Sequence, residues 1–162
     1  MTDPLAGAVP ARELVEALGR RGQTVATAES LTAGLLAATL AGVPGASAVL
    51  RGGLIVYATD LKAVLGGVDA DVLESDGPVA PSTAAQLADG ARARCGADWG
   101  VGLTGVAGPD WQDGHAPGTV FLGVAGPDGT EVTALDLSGD RWEIRLGSVS
   151  SAVSSLLERL AR

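Results

Sequence analysis

The sequence of 162 residues predicts an α/β fold: a three-layer α/β/α sandwich around a mixed, mainly parallel sheet, with an antiparallel hairpin late in the chain. Three observations carry this. Short apolar runs rich in β-branched residues alternate with stretches whose apolar residues recur at helical spacing, the rhythm of strand followed by helix. Gly126-Pro127-Asp128-Gly129 divides two strand-like runs and reads as a hairpin turn, which adds an antiparallel pair. Aromatic residues make up only 3% of the chain while glycine occurs 24 times, so the core must be assembled from Ala, Val and Leu with backbones in close approach.

Residues 1–10 read as a loose lead-in and 11–162 as one domain. Ala11 to Arg20 sets Leu14, Ala17 and Leu18 on one face, an amphipathic helix that Gly22 ends. Thr24 to Glu29 is a strand, and Leu31, Leu35, Leu36 and Leu40 carry a helix from about 31 to 41, which leaves Ser30 at the strand-to-helix turn. After the turn Gly42-Val43-Pro44-Gly45, the run Gly53 to Ala58 reads as a buried strand ending near Tyr57. Asp60 suits the cap of a short helix at 61–65 that carries Lys62, and a second short helix is expected at about 70–75 before Gly77-Pro78. Pro81 opens a long helix to about Arg94, striped by Ala84, Leu87, Ala88 and Ala91. Trp99 to Leu103 is the next buried strand and runs into a glycine-rich turn, Thr104 to Pro109. A polar loop over 110–117 holds Trp111, Asp113 and the sole histidine, His115. Gly118 to Val124 and Thr130 to Leu137 are the hairpin strands, and Ile144, Val149, Val153, Leu156 and Leu160 mark a closing helix over about 141–160.

A net charge of -8 and a pI near 4.4 argue against general affinity for nucleic acid or an anionic membrane surface, since neutralising phosphates takes clustered Lys and Arg. An anionic small molecule stays within reach if a few arginines converge. Cys95 is the sole cysteine, so no intrachain disulfide can form, and no Cys/His spacing suits a metal; neither metal nor organic cofactor is expected. The amino terminus lacks a basic signal-peptide region, and Gly42, Pro44 and Gly45 break the uncharged stretch Leu31 to Leu50, so a reducing cytoplasm is the expected location.

Ligands of α/β sheets bind beyond strand ends, and three polar clusters fall there: Glu29-Ser30, Tyr57 with Lys62, and Thr104 to Pro109. A serine attacks an amide carbon only if a base takes its proton, and a desolvated lysine can be that base. Lys62 is the one lysine beside ten arginines. Each feature also has a plain reading: Ser30 as a helix N-cap, Lys62 as a solvated helix surface, Tyr57 as a strand-end tyrosine, and the glycine-rich segment as a tight turn. In the functional reading, that turn and the helix N-terminus after Ser30 offer N–H donors to an oxyanion. Arg141 and Arg145, one helical turn apart, suit bidentate phosphate binding and equally suit an exposed helix start. Asp110, Asp113 and Asp140 read as turn and cap residues.

Together these segments resemble the CinA C-terminal domain family, which includes the stand-alone amidohydrolases of nicotinamide mononucleotide (NMN). Ala28-Glu29-Ser30-Leu31-Thr32-Ala33-Gly34 is similar to the family's AESCTGG, and Tyr57 with Lys62 to its Y-x-N-x-x-K. Thr104 to Pro109 is similar to its (S/T)-G-(I/V)-A-G-P turn, Gly118-Thr119-Val120 to its GTV and Gly139-Asp140-Arg141 to its GDR. All five stand in the family's order. Leu31 and Ala33 occupy positions of its usual Cys and Gly, Thr59 that of its Asn, and Pro78-Val79-Ala80 a stretch that normally ends in Ser. The resemblance implies hydrolysis of the NMN carboxamide to nicotinate mononucleotide and ammonia, a step of pyridine nucleotide salvage, without a cofactor. It implies Ser30 as nucleophile and Lys62 as its base, with Tyr57 and Thr104 beside them. It also implies Glu29, Thr32, Gly34, Gly105, Ala107, Gly108, Arg141 and Arg145 as substrate contacts, the two arginines at the phosphate, and a homo-oligomer with a dimer favoured. A nucleotide-binding or regulatory module without turnover, and a Ser-Lys amidase for another small amide, are the competing readings.

Overall fold

Glycine placement and apolar periodicity set the elements of the computed structural model, which describes residue 5 and residues 7–162. The expected lead-in at 1–10 therefore lies partly outside the described residues. Helix α1 (Ala11–Arg21) stops at Gly22, whose left-handed backbone turns its N–H back to the Gly19 and Leu18 carbonyls. Then follow β1 (Val25–Glu29), α2 (Leu35–Ala41), β2 (Leu50–Ile55), α3 (Thr59–Val64), α4 (Ala70–Ser75) and α5 (Pro81–Cys95). The chain closes with β3 (Trp99–Gly105), β4 (Thr119–Gly126), β5 (Gly129–Asp136) and α6 (Arg141–Leu160). No helix among the described residues is long and apolar enough to cross a membrane.

The strand order is β2-β1-β3-β4-β5. β1 runs parallel to β2 and β3, whereas β3 with β4 and β4 with β5 are antiparallel. The sheet is mixed as expected, with two parallel and two antiparallel pairings. No helix crosses over between β3 and β4, so the chain must return in the opposite direction. Helices α1, α2 and α6 cover one face, and α5 with α3 and α4 the other, which gives the three layers.

The two faces pack differently. Leu14, Leu18, Leu36, Leu40, Leu103, Leu122, Ile144 and Leu156 fill the first, whereas the second core is built on Ala26, Ala28, Val56, Val68, Leu87 and Ala91. It can be that thin because Gly100, Gly102 and Gly123 leave bare backbone under α5. A methyl at Gly100 would lie 2.0 Å from the Ala88 carbonyl oxygen, and one at Gly102 or Gly123 2.5 or 2.3 Å from that of Ala84.

Three boundaries depart from the sequence reading, and each bears on the site. β2 spans Leu50–Ile55 rather than 53–58, and it is an edge strand of alternating exposure rather than a buried one. Val56 and Tyr57 thus leave the sheet just past its end, although the Val56 N–H still bonds the Glu29 carbonyl. Helix α2 starts at Leu35 because Ala33 and Gly34 take left-handed φ values of 48° and 95°, which makes 31–34 a turn. Helix α3 is preceded by Ala58 as N-cap, with Asp60 in its first turn rather than capping it.

Candidate active site

β1 lies between two parallel neighbours, and its last carboxyl-terminal step delivers Ser30 to the edge of the sheet, where the Ser30 N–H bonds the Leu103 carbonyl at 2.9 Å. A cavity of about 180 Å³ opens there, walled by Ser30, Leu31, Tyr57, Thr59, Lys62, Pro78, Val79, residues 104–112 and Arg141. It lies beyond the carboxyl ends of the parallel strands, where such sheets bind ligands.

Lys62 is 2% exposed, so the reading of it as a solvated helix surface does not hold. Its Nζ donates to Ser30 Oγ at 3.0 Å and to the carbonyls of Val56 at 2.9 Å and Tyr57 at 3.3 Å. Burial lowers its pKa from 10.5 to about 8, and the charge of Asp113 opposes that shift. The three contacts equal in number the hydrogens of a protonated amine. Once neutral, it can keep two N–H bonds on the carbonyls and turn its lone pair toward the Ser30 hydroxyl.

Thr104, fully buried at the end of β3, donates from Oγ1 to the Pro78 carbonyl at 2.6 Å and so ties β3 to the segment ahead of α5. Tyr57 is 56% exposed, and its hydroxyl accepts from Arg141 Nη2 at 3.0 Å. Arg141 Nη1 donates to the Gly108 carbonyl. One guanidinium thus spans the mouth from the end of β2 to the glycine-rich turn. Its place is fixed by a capping box at the start of α6, in which the Asp140 carboxylate accepts from the Glu143 N–H at 2.9 Å and the Glu143 carboxylate from the Asp140 N–H at 2.7 Å. In the cavity wall the backbone N–H groups of Leu31, Ala107 and Gly108 have no acceptor among the described residues. Unpaired donors beside a buried serine suit a developing oxyanion.

Residues 8–160 match the family model of the CinA C-terminal domain. The chain belongs to the CinA C-terminal domain family. A CinA-like protein of Frankia casuarinae is 49% identical over 144 residues, which cover 89% of this chain and 33% of that protein. The chain spans about a third of the length of the curated relatives it matches. The crystal structure of the competence/damage inducible protein CihA from Agrobacterium tumefaciens is similar at a TM-score of 0.90 and 32% identity, over 100% of this chain and 98% of that one. That of a competence or damage-inducible protein from Enterobacter asburiae has a TM-score of 0.91 at 28% identity, covering 98% and 99%. Every residue of the cavity wall falls inside the CinA match.

Several residues assigned to the site by resemblance stand elsewhere in this CinA domain. Glu29 is 1% exposed, and its carboxylate accepts from the N–H groups of Gly34, Leu36 and Ala37 at 3.0, 3.1 and 2.9 Å and from Thr27 Oγ1 at 3.0 Å. It caps α2, so the positive end of that helix is answered by Glu29, and Ser30 is neither its N-cap nor able to use it. Thr32 and Gly34 belong to the same turn, outside the cavity wall, and Thr32 Oγ1 is buried without a hydrogen-bond partner among the described residues. Arg145 donates from Nε to the Leu31 carbonyl at 3.0 Å and from Nη2 to that of Thr32 at 3.2 Å, which braces the turn instead of facing the cavity. Ala80 is the N-cap residue of α5, outside the wall, so the missing hydroxyl is that of a helix cap. Sequence reasoning expected N–H donors just after Ser30, where the Leu31 amide lies, but missed the walls given by Pro78, Val79, Asp110, Trp111 and Gln112. A tryptophan inside an otherwise polar loop was the one available signal. Among the described residues no group of His, Cys, Asp and Glu is arranged to hold a metal ion.

Proposed function

We propose that the chain is a Ser-Lys amidohydrolase that converts NMN and water to nicotinate mononucleotide and ammonia. The reading is carried by the buried Lys62 amine 3.0 Å from Ser30 Oγ, anchored by two carbonyls and with its pKa lowered to about 8. Neutral Lys62 takes the hydroxyl proton as Ser30 Oγ bonds to the carboxamide carbon, and the oxyanion meets the N–H groups of Leu31, Ala107 and Gly108. The ammonium returns that proton to the departing nitrogen, the C–N bond breaks and ammonia leaves an acyl ester on Ser30. Water then attacks the ester with Lys62 as base, and the released Ser30 oxygen regains a proton. Arg141, at the mouth, is the cation suited to the substrate phosphate.

The test is incubation of the purified protein with NMN, following ammonia and nicotinate mononucleotide together. Stoichiometric release of both, absent in Ser30→Ala, is the expected result. Binding of NMN without release of either makes the chain a nucleotide-binding module instead.

A further inference from the structure

The three tryptophans of the chain differ in what lies over their rings. Trp99 carries the Arg159 guanidinium 5.4 Å from its centroid and Trp142 carries that of Arg145 at 5.8 Å. Trp111 has no cation over it among the described residues, is 70% exposed and forms part of the wall around Ser30. An indole is a large apolar surface to leave in water, and its loop is not slack. Gln112 and His115 exchange backbone hydrogen bonds of 3.0 and 2.9 Å around Asp113 and Gly114, both at positive φ, and the His115 ring meets Phe121 edge-on at 6.2 Å. Trp111 is therefore presented on a closed turn. Asp110 and Asp113 flank it, and among the described residues neither carboxylate forms a salt bridge. A free indole face beside two carboxylates outside any salt bridge among the described residues, at the rim of a cavity, is chemistry that recognises a flat cation.

Resting on the amidohydrolase reading, we propose that Trp111 determines specificity by stacking on the positively charged ring of the substrate, and so selects carboxamides on N-substituted pyridinium rings over those on neutral rings. A cationic ring in the cavity also favours the neutral form of Lys62, the form that takes the Ser30 proton.

The experiment compares NMN with its reduced dihydropyridine form, which keeps the phosphate, ribose and carboxamide but loses the ring charge. In Trp111→Ala the KM for NMN should rise roughly 3- to 30-fold, that for the reduced form much less, and Trp111→Phe should recover part of the loss. Equal losses on the two forms, or a change in KM below about twofold, overturn the proposal. A second readout does not need turnover: NMN should quench indole fluorescence in Ser30→Ala, and Trp111→Phe in that background should abolish the quenching. Quenching that survives Trp111→Phe also overturns it. Quenching that depends on Trp111, when the parent protein with Ser30 intact releases no ammonia from NMN, supports the stacking and removes the amidohydrolase reading. Turnover indifferent to Trp111 does the reverse.

Discussion

Two charged side chains are buried next to Ser30 in sequence or in space, and they are held in opposite ways. Glu29 accepts four hydrogen bonds, all from groups fixed in the α2 turn and β1, so its charge is absorbed by the fold. Lys62 has two fixed carbonyl partners, and its third is a hydroxyl that can give up a proton. A buried charge whose partners cannot change is a cap. A buried charge with one exchangeable partner, and a pKa brought down to about 8, is suited to moving a proton, as the proposed mechanism requires.

The contrast is broken most easily at Ser30 and Lys62 themselves. Ser30→Ala and Lys62→Ala should each lower kcat/KM for NMN by roughly three to six decades, and the double variant should be hardly worse than either. Lys62→Arg should be as inactive as Lys62→Ala, because a guanidinium does not deprotonate in proteins. Retention of a large part of the activity in Lys62→Arg would mean the amine acts only as a positive charge.

Glu29→Gln tests the other half. It sets an NH2 group against donors that the carboxylate now accepts from, and should cost roughly 2 to 4 kcal/mol in denaturant unfolding. If instead the variant unfolds like the parent and has lost turnover alone, Glu29 is chemical after all.

For Lys62 the pH dependence has a definite sign. The folded protein releases its proton near pH 8 and the unfolded chain near 10.5, so between these values the unfolded state binds more protons and stability rises with pH. Across that window the parent should gain roughly 3 kcal/mol that Lys62→Met does not. In the same protein kcat/KM should climb roughly tenfold from pH 7 to 9 and level off, since only the neutral amine is a base. A profile flat through pH 8 counts against it.

The smallest expected effect separates Arg141 from Arg145 on the same grounds. Arg141→Ala should raise KM for NMN by about one to two decades, corresponding to roughly 1.5–3 kcal/mol, and leave hydrolysis of free nicotinamide unchanged. Arg145→Ala should lower stability and raise KM little, because Arg145 braces the Leu31 and Thr32 carbonyls outside the cavity wall that Arg141 lines. Equal effects on KM would erase the distinction.

Much of the fold was legible because apolar periodicity is local. The Asp140 cap, the Gly22 stop and the hairpin at 126–129 follow from neighbouring residues, though the reciprocal bond from Glu143 was not read. What the sequence hid was held by contacts between segments. Leu31 shares the helical spacing of Leu35 and Leu40, yet Ala33 and Gly34 break the helix, and the cap comes from a strand carboxylate upstream. Arg141 and Arg145 share a face of α6 but not a partner, since one reaches the glycine-rich turn and the other the 31–34 turn. Glycines bounding 53–58 suggested a buried strand, whereas pairing with β1 begins at Leu50. The closeness of Ser30 and Lys62, from β1 and α3, was expected from the motif order rather than from any local rule.

The bed of Gly100, Gly102 and Gly123 leaves α5 with no vertical play. Pro78 and Val79, just ahead of that helix, wall the cavity, and Thr104 holds the Pro78 carbonyl at 2.6 Å. One methyl at Gly102, 2.5 Å from the Ala84 carbonyl oxygen, would have to lift the first turns of α5 by roughly 1 Å to reach ordinary contact. Displacements of about that size at a reacting centre can cost on the order of a hundredfold in rate. The clearance around Ser30 is thus gauged in the middle of β3 and β4, by side chains that are not there.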